Sequence, residues 1–270
     1  MNSMLALLVP SLLAAQEPQE IARNTFLFST PAGNVVASIT PEGAFLIGAL
    51  SASSTPAIEA AIARRTSSPV RYVIVAASPV AVAEGEAGWR RLGATVVAQE
   101  ALWARMPEPL RPQVAFSEFI KFVFGGEDNH VVHQQPGHSD ADVLVHFENA
   151  SIVYLGESLP GNGYPDIDTA HGGTIDGLIN TINPWAGSGR NRMVGAHGPP
   201  MTGNQVREFR DMLTAMRDRI RSLAESGRSA EQVVAARPSA EFDARWGRGR
   251  VSPEAFVRAV YRSVTQPRRN

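Results

Sequence analysis

Twice along the chain a series of short β-prone runs gives way to helix, and this repetition limits the fold more than any other feature of the sequence. Thr25–Phe28, Gly33–Ile39 and Ala44–Ile47 are separated by Pro31-Ala-Gly33 and Pro41-Glu-Gly43, which predicts an opening meander. Thr55-Pro56 then opens a helix with Ile58, Ala61 and Ile62 on one side and Arg64-Arg65 in its last turn, where the helix dipole favours basic residues. Val70–Val75 reads as a buried strand, Glu84–Leu92 as a helix and Ala94–Ala98 as a further strand. That β-α-β-α-β order predicts an α/β layered core.

A second block begins after the Pro-rich stretch Met106–Pro112. Ile120–Phe124, His130–His133, Asp142–Phe147 and Ser151–Leu155 are predicted strands, with tight turns at Gly125-Gly126 and Asn149-Ala150. Two strand-rich blocks, each followed by helix, suit a sandwich of two sheets. From Thr202 the pattern turns helical: Val206, Phe209, Met212 or Leu213, Met216, Ile220 and Leu223 make one apolar stripe, which Gly227 stops. Ser229-Ala-Glu-Gln232 is a capping box, and Ser252-Pro-Glu254 caps a last helix with Val257, Val260, Tyr261 and Val264 on one face. Both stripes read as core packing.

Composition removes several classes of function. With 270 residues the chain can bury a sizeable core. Its net charge of −1 and interspersed basic residues lack the electrostatic footprint of a nucleic-acid binder. There is no cysteine, which excludes disulfides, thiolate ligands and a cysteine nucleophile, so any zinc would need histidine and carboxylate ligands. Met4–Ala15 is an apolar run too short to span a bilayer and is followed at once by polar Gln16–Glu20. Residues 1–15 therefore read as a signal peptide, which predicts an exported protein, periplasmic or extracellular, with no transmembrane anchor in the mature chain.

Three segments carry candidate chemistry: Pro136-Gly-His138-Ser-Asp-Ala-Asp142, Leu155-Gly-Glu157 and Gly195-Ala-His197-Gly-Pro199. In order and spacing they resemble the metallo-β-lactamase superfamily, in which a histidine in a H-T-D-G-D-like turn, an aspartate in T-G-D and a histidine in P-G-H-G-P ligate zinc. Gly33–Ile39 matches the family's opening strand, while Asn162–Asp168 and Gly172–Gly177 match a pattern common among exported members. Glu208–Leu213, Ala235–Pro238 and Phe242–Trp246 resemble the C-terminal helices of that group. The resemblance implies an αββα sandwich over residues 20–200, a C-terminal helical extension over 201–270 packed on it, and a site at one edge between the sheets.

The same resemblance implies a loss. The family's main ligand motif, H-x-H-x-D-H, should lie upstream of these segments. Counting back without gaps from Leu92-Gly-Ala-Thr-Val-Val-Ala98, its four ligand positions fall on Ala77, Pro79, Ala81 and Val82, none of which can bind a metal through its side chain. The bridging aspartate is replaced by Glu157, the supporting V-D-T-G reads Ile47-Gly-Ala-Leu50, and a histidine often found before glutamate is Gln99. A metal needs about three protein ligands, and His138, Glu157 and His197 leave about one histidine for each of two. The expectation is a non-catalytic or strongly impaired homologue that binds a small-molecule or protein ligand, with no cofactor or zinc only at low occupancy. The alternative is a hydrolase acting on an ester, thioester or lactam, in which the same three residues converge on a single metal. Asp140, Asp142, His133 and His171 are nearby polar candidates, Asp142 reading as a turn-fixing residue and His171 as a loop residue. Ser78 has no G-x-S-x-G elbow around it, and Glu84 and Glu86 read as dipole partners at a helix start.

Overall fold

Every residue of Gly33–Thr40 and Gly43–Gly48 is buried, so these two strands must be covered on both faces. That explains why they read as continuous apolar runs rather than alternating ones. Along the first, Val35, Ala37 and Ile39 pack on one side and Val36 on the other; along the second, Ala44 and Leu46 oppose Phe45 and Ile47. The computed structural model describes residues 17–76, 80–161 and 163–266. The expected signal peptide and the Arg-rich 267–270 end lie outside them.

The first sheet has seven strands in chain order: β1 (Gln19–Ala22), β2 (Thr25–Thr30), β3 (Gly33–Thr40), β4 (Gly43–Gly48), β5 (Val70–Val75), β6 (Thr95–Gln99) and β7 (Val114–Phe116). β1 to β4 form an antiparallel meander, whereas β4 to β7 are parallel. The parallel part is linked through α1 (Thr55–Ala63), α2 (Val80–Arg91) and α3 (Glu100–Arg105), as parallel strands require. Helix α2 starts four residues before the expected Glu84, because Val80-Ala-Val-Ala83 carries no polar residue to mark a cap. Of the four lost ligand positions, Ala77 and Pro79, like Ser78, lie outside the described residues, while Ala81 and Val82 fall in the first turns of α2.

The second sheet is ordered β12-β11-β10-β9-β8. β8 (Phe119–Phe124), β9 (Glu127–His133), β10 (Val143–Phe147) and β11 (Ile152–Gly156) are antiparallel neighbours, and β12 (Arg192–Gly195) joins β11 in parallel after α4 (Ile175–Ile182). Gly125 and Gly126, at φ +60° and +77°, make the tight β8–β9 turn that only glycine adopts without strain. The remaining helices are α5 (Gly203–Glu225), α6 (Ala230–Ala235), α7 (Ala240–Trp246) and α8 (Pro253–Thr265).

Three apolar layers result. Phe45, Ile47, Val131, Val145 and Phe147 fill the space between the sheets, where Phe45 lies 5.6 Å from Phe122 and 5.9 Å edge-on from Phe147. Such aromatic pairs add about 0.5–1.5 kcal/mol each beyond burial. The helices α1 to α3 cover the outer face of the first sheet with Ile58, Ile62, Trp89 and Leu102. On the second sheet, Leu144, Val153 and Leu155 meet Phe209, Met212, Leu213, Met216, Ile220 and Phe256 of α5 and α8. The molecule is an αββα sandwich whose C-terminal helices are continuous with the core of the second sheet. Among the described residues, no helix is long and apolar enough to cross a membrane.

Candidate functional site

Three segments end at one edge of the second sheet. The β9–β10 connection carries His138, β11 runs out into Glu157, and parallel β12 runs out into His197. All three side chains line one cleft of roughly 750 Å³. Its far wall is apolar, with Leu102 and Met106 from the first layer of helices and Tyr164 from the loop after β11.

The turn that carries His138 is built on Asp142. One carboxylate oxygen accepts from the backbone N–H of His138 at 2.7 Å and from Ser158 Oγ at 3.1 Å, the other from the Ser139 N–H at 2.9 Å and its Oγ at 3.0 Å. Asp142 therefore fixes the turn, as its sequence position suggests, and is not one of the polar groups that line the cleft. Asp140 does not line it either, but binds the lining residue Arg105 at Nη1 at 2.6 Å, while its carbonyl holds His133 Nε2 at 2.9 Å. His171 does line the cleft, tied through Nδ1 to Asp168 at 2.6 Å. Burial pushes the Asp168 carboxyl up, but that bond, the His171 backbone N–H and the charges of His171 and His138 together hold it below its ordinary range.

The loop that carries His197 is clamped by a residue from the other sheet. Buried Asn34 donates its side-chain amide to the carbonyls of Gly195 at 3.0 Å and Gly198 at 2.8 Å, and its backbone N–H to Ala196 at 2.7 Å. A Cβ on Gly195 would lie 1.6 Å from the Leu159 carbonyl oxygen, so only glycine permits this backbone approach. The Gly195–Pro199 motif thus has a structural requirement that is independent of what His197 binds.

His197 Nε2 is met by Arg250 Nη1 from the loop between α7 and α8, and both lie 3.8 Å from Glu157 Oε1. Burial, together with the Arg250 charge, holds His197 below its ordinary pKa against the opposing pull of Glu157. His138 lies 3.8 Å from Asp166 on one side and 3.8 Å from Asp142 on the other. Burial pushes its pKa down, but the carboxylates of Asp166, Asp142 and Glu157 outweigh it and hold the imidazole above its ordinary value. Reciprocally, His138 holds the Asp166 carboxyl low. The two histidines therefore have different surroundings, one favouring the cation and the other the neutral ring.

Sequence reasoning brought His138, Glu157 and His197 to one cleft but missed Arg250, which sits in an aperiodic Gly-Arg-Gly-Arg stretch, and Asn34, which reads as an ordinary strand residue. Among the described residues, one group of three histidine and carboxylate side chains has its ligand atoms within 4.8 Å of one another, and it lies elsewhere: His130, His146 and Glu148.

No protein-family model and no curated protein matches the chain. Solved structures do. A metallo-β-lactamase from Pontibacter korlensis aligns with a TM-score of 0.63 at 19% identity, covering 73% of this chain and 98% of that one. The sec-alkylsulfatase Pisa1 from Pseudomonas sp. aligns with a TM-score of 0.70 at 14% identity over 91% of this chain, which spans about half of that enzyme, 49%. The DIM-1 metallo-β-lactamase aligns with a TM-score of 0.59 at 13% identity over 73% of this chain and 95% of that one. The chain has the metallo-β-lactamase fold, and at these identities the likeness concerns the fold alone.

Proposed function

We propose that this is an exported metallo-β-lactamase-fold protein whose cleft binds a ligand or partner without metal-dependent hydrolysis. The observation that carries the reading is Arg250: its guanidinium donates to His197 Nε2 and lies beside Glu157. A donated proton occupies the Nε2 lone pair that a metal would need, and a positive charge beside Glu157 opposes a second cation there. The donor set argues the same way. Ala81 and Val82 offer no side-chain ligand, and His138, held by Asp142 and Asp166, belongs to no close group of three among the described residues. The residues present do not fit a zinc centre in the cleft.

What the cleft keeps is shape and charge. Arg250 is 71% exposed as a side chain, so its remaining donors face whatever enters, above an apolar wall. A ligand with an anionic group and an apolar body fits that combination.

The second reading, a single-metal hydrolase of an ester, thioester or lactam, is favoured by the presence of His138, His197 and Glu157 in one cleft. Hydrolysis of those three substrate classes, assayed after chelation and again after zinc addition, separates the readings. No zinc-dependent turnover is expected, and zinc content is expected to be equal in the wild type and in the His138→Ala, His197→Ala double variant. Zinc-dependent turnover that disappears in that double variant would establish the hydrolase instead.

A further inference from the structure

The group His130, His146 and Glu148 lies away from the cleft. β10 starts at the cleft edge and delivers Glu148 just past its far end, a strand length of about 16 Å at ~3.3 Å per residue. His130 on β9 is directly opposite His146 on β10, and such cross-strand pairs hold their Cβ atoms about 4.5–5.5 Å apart. Both side chains point outward, because their neighbours Val131, Val145 and Phe147 fill the space between the sheets. Glu148, two residues beyond His146, returns to the same face.

His146 meets a polar partner at each ring nitrogen. Asn191 donates its amide nitrogen to Ser188 Oγ at 3.3 Å and turns its amide oxygen to His146 Nε2, also at 3.3 Å. With the hydrogen on Nε2, the Nδ1 lone pair is directed at Glu148 Oε2, 3.0 Å away, an arrangement that a shared proton or a bound cation completes, and the second imidazole, His130, lies beside them.

We propose that His130, His146 and Glu148 form a binding site for a divalent transition metal of the zinc class. Two imidazoles and one carboxylate with open positions suit zinc, copper or nickel rather than calcium or magnesium. Bonds of about 2.0–2.1 Å in a tetrahedral site require ligand atoms about 3.3 Å apart. The observed atoms lie within 4.8 Å, so side-chain rotation closes the site without backbone movement. Asn191 supplies the outer hydrogen bond that a ligating histidine characteristically makes. Two cations compete for the carboxylates here: Lys121 is held by Asp128 at 2.6 Å, and Arg190, whose Nε donates to Ser151 Oγ at 3.1 Å, lies 3.9 Å from Glu148 and has to give up that contact when a metal binds.

The test uses the chain as expressed, stripped with chelator, then equilibrated with zinc or cobalt(II) and desalted. The wild type and the His138→Ala, His197→Ala double variant are expected to retain one equivalent of zinc and to melt at higher temperature when zinc is added. Cobalt(II) is expected to give the visible absorption of a low-coordinate nitrogen and oxygen site. His130→Gln and Glu148→Gln, each checked for unchanged far-ultraviolet circular dichroism, should lose the retained zinc, and Asn191→Ala should weaken cobalt binding about tenfold. The proposal is overturned if the wild type retains no zinc, if His130→Gln and Glu148→Gln retain it undiminished, or if it is lost in the cleft double variant. Because the hydrolysis assay reads the cleft and these variants read the sheet face, failure here leaves the functional proposal standing, and the converse holds.

Discussion

Tyr164 shows how one side chain ties the cleft to the C-terminal helices. Its ring stacks on Phe256 at 4.5 Å, and its hydroxyl donates to Asp243 of α7 at 2.9 Å. Burial, reinforced by the Asp243 charge, raises the phenol well above its ordinary pKa of 10.0. Between the unfolded and folded pKa values the folded state keeps a proton that the unfolded state has lost. Stability contributed by this group is therefore complete below pH ~10 and declines as pH rises above it. Tyr164→Phe is expected to cost about 1 kcal/mol near neutrality and to lose less stability than the wild type between pH 7 and pH 10.5. Urea unfolding midpoints at the two pH values check this, and an identical alkaline decline in both proteins would contradict it. At this scale the sequence was informative where a local motif held the residue: His138, Glu157 and His197 each stand beside glycine, or beside the turn-forming Asp142. Arg250 was not legible, because its importance comes from a meeting with His197 across 53 residues.

Elements were legible in proportion to how much their own residues specify them. The stripe from Val206 to Ile220 is buried as its spacing requires, with both Met212 and Leu213 inside, and Thr202 with Gln205 makes a complete capping box. Thr202→Ala should lower stability by about 1 kcal/mol, and Thr202→Gly by only a few tenths; equal losses in chemical denaturation would show that the cap does not act as drawn. The box at Ser229 forms in the same way, and Ser252 caps the last helix by accepting from the Ala255 N–H. Elements specified by neighbours were missed. Three-residue β7 is too short to show alternation and exists because β6 offers it an edge. β1 reads as polar because two of its four residues are exposed at the sheet margin. The pairing of His130 with His146 is a matter of strand register, which no local pattern in either strand announces.

The molecule as a whole gives little reason to separate residues 201–270 from the sandwich. The apolar cluster that includes Leu144 and Val153 of the second sheet is the same one that includes Phe209, Ile220, Trp246 and Val260. Without α5 and α8 that face of the sheet would meet water, so unfolding should be a single cooperative transition. Urea curves followed by far-ultraviolet circular dichroism and by tryptophan fluorescence should coincide; an early transition seen by one probe alone would show the helices leaving first. The layered plan was readable because strand blocks and helices alternate in sequence, whereas the depth of helical coverage was not, because it depends on how the chain returns after β12. The same return carries Arg250 into the cleft. A positive charge supplied by the polypeptide has no free concentration, so chelation, metal starvation or a change of compartment leaves it in place, and the charge state of the cleft becomes an inherited property of the chain rather than a reading of its surroundings.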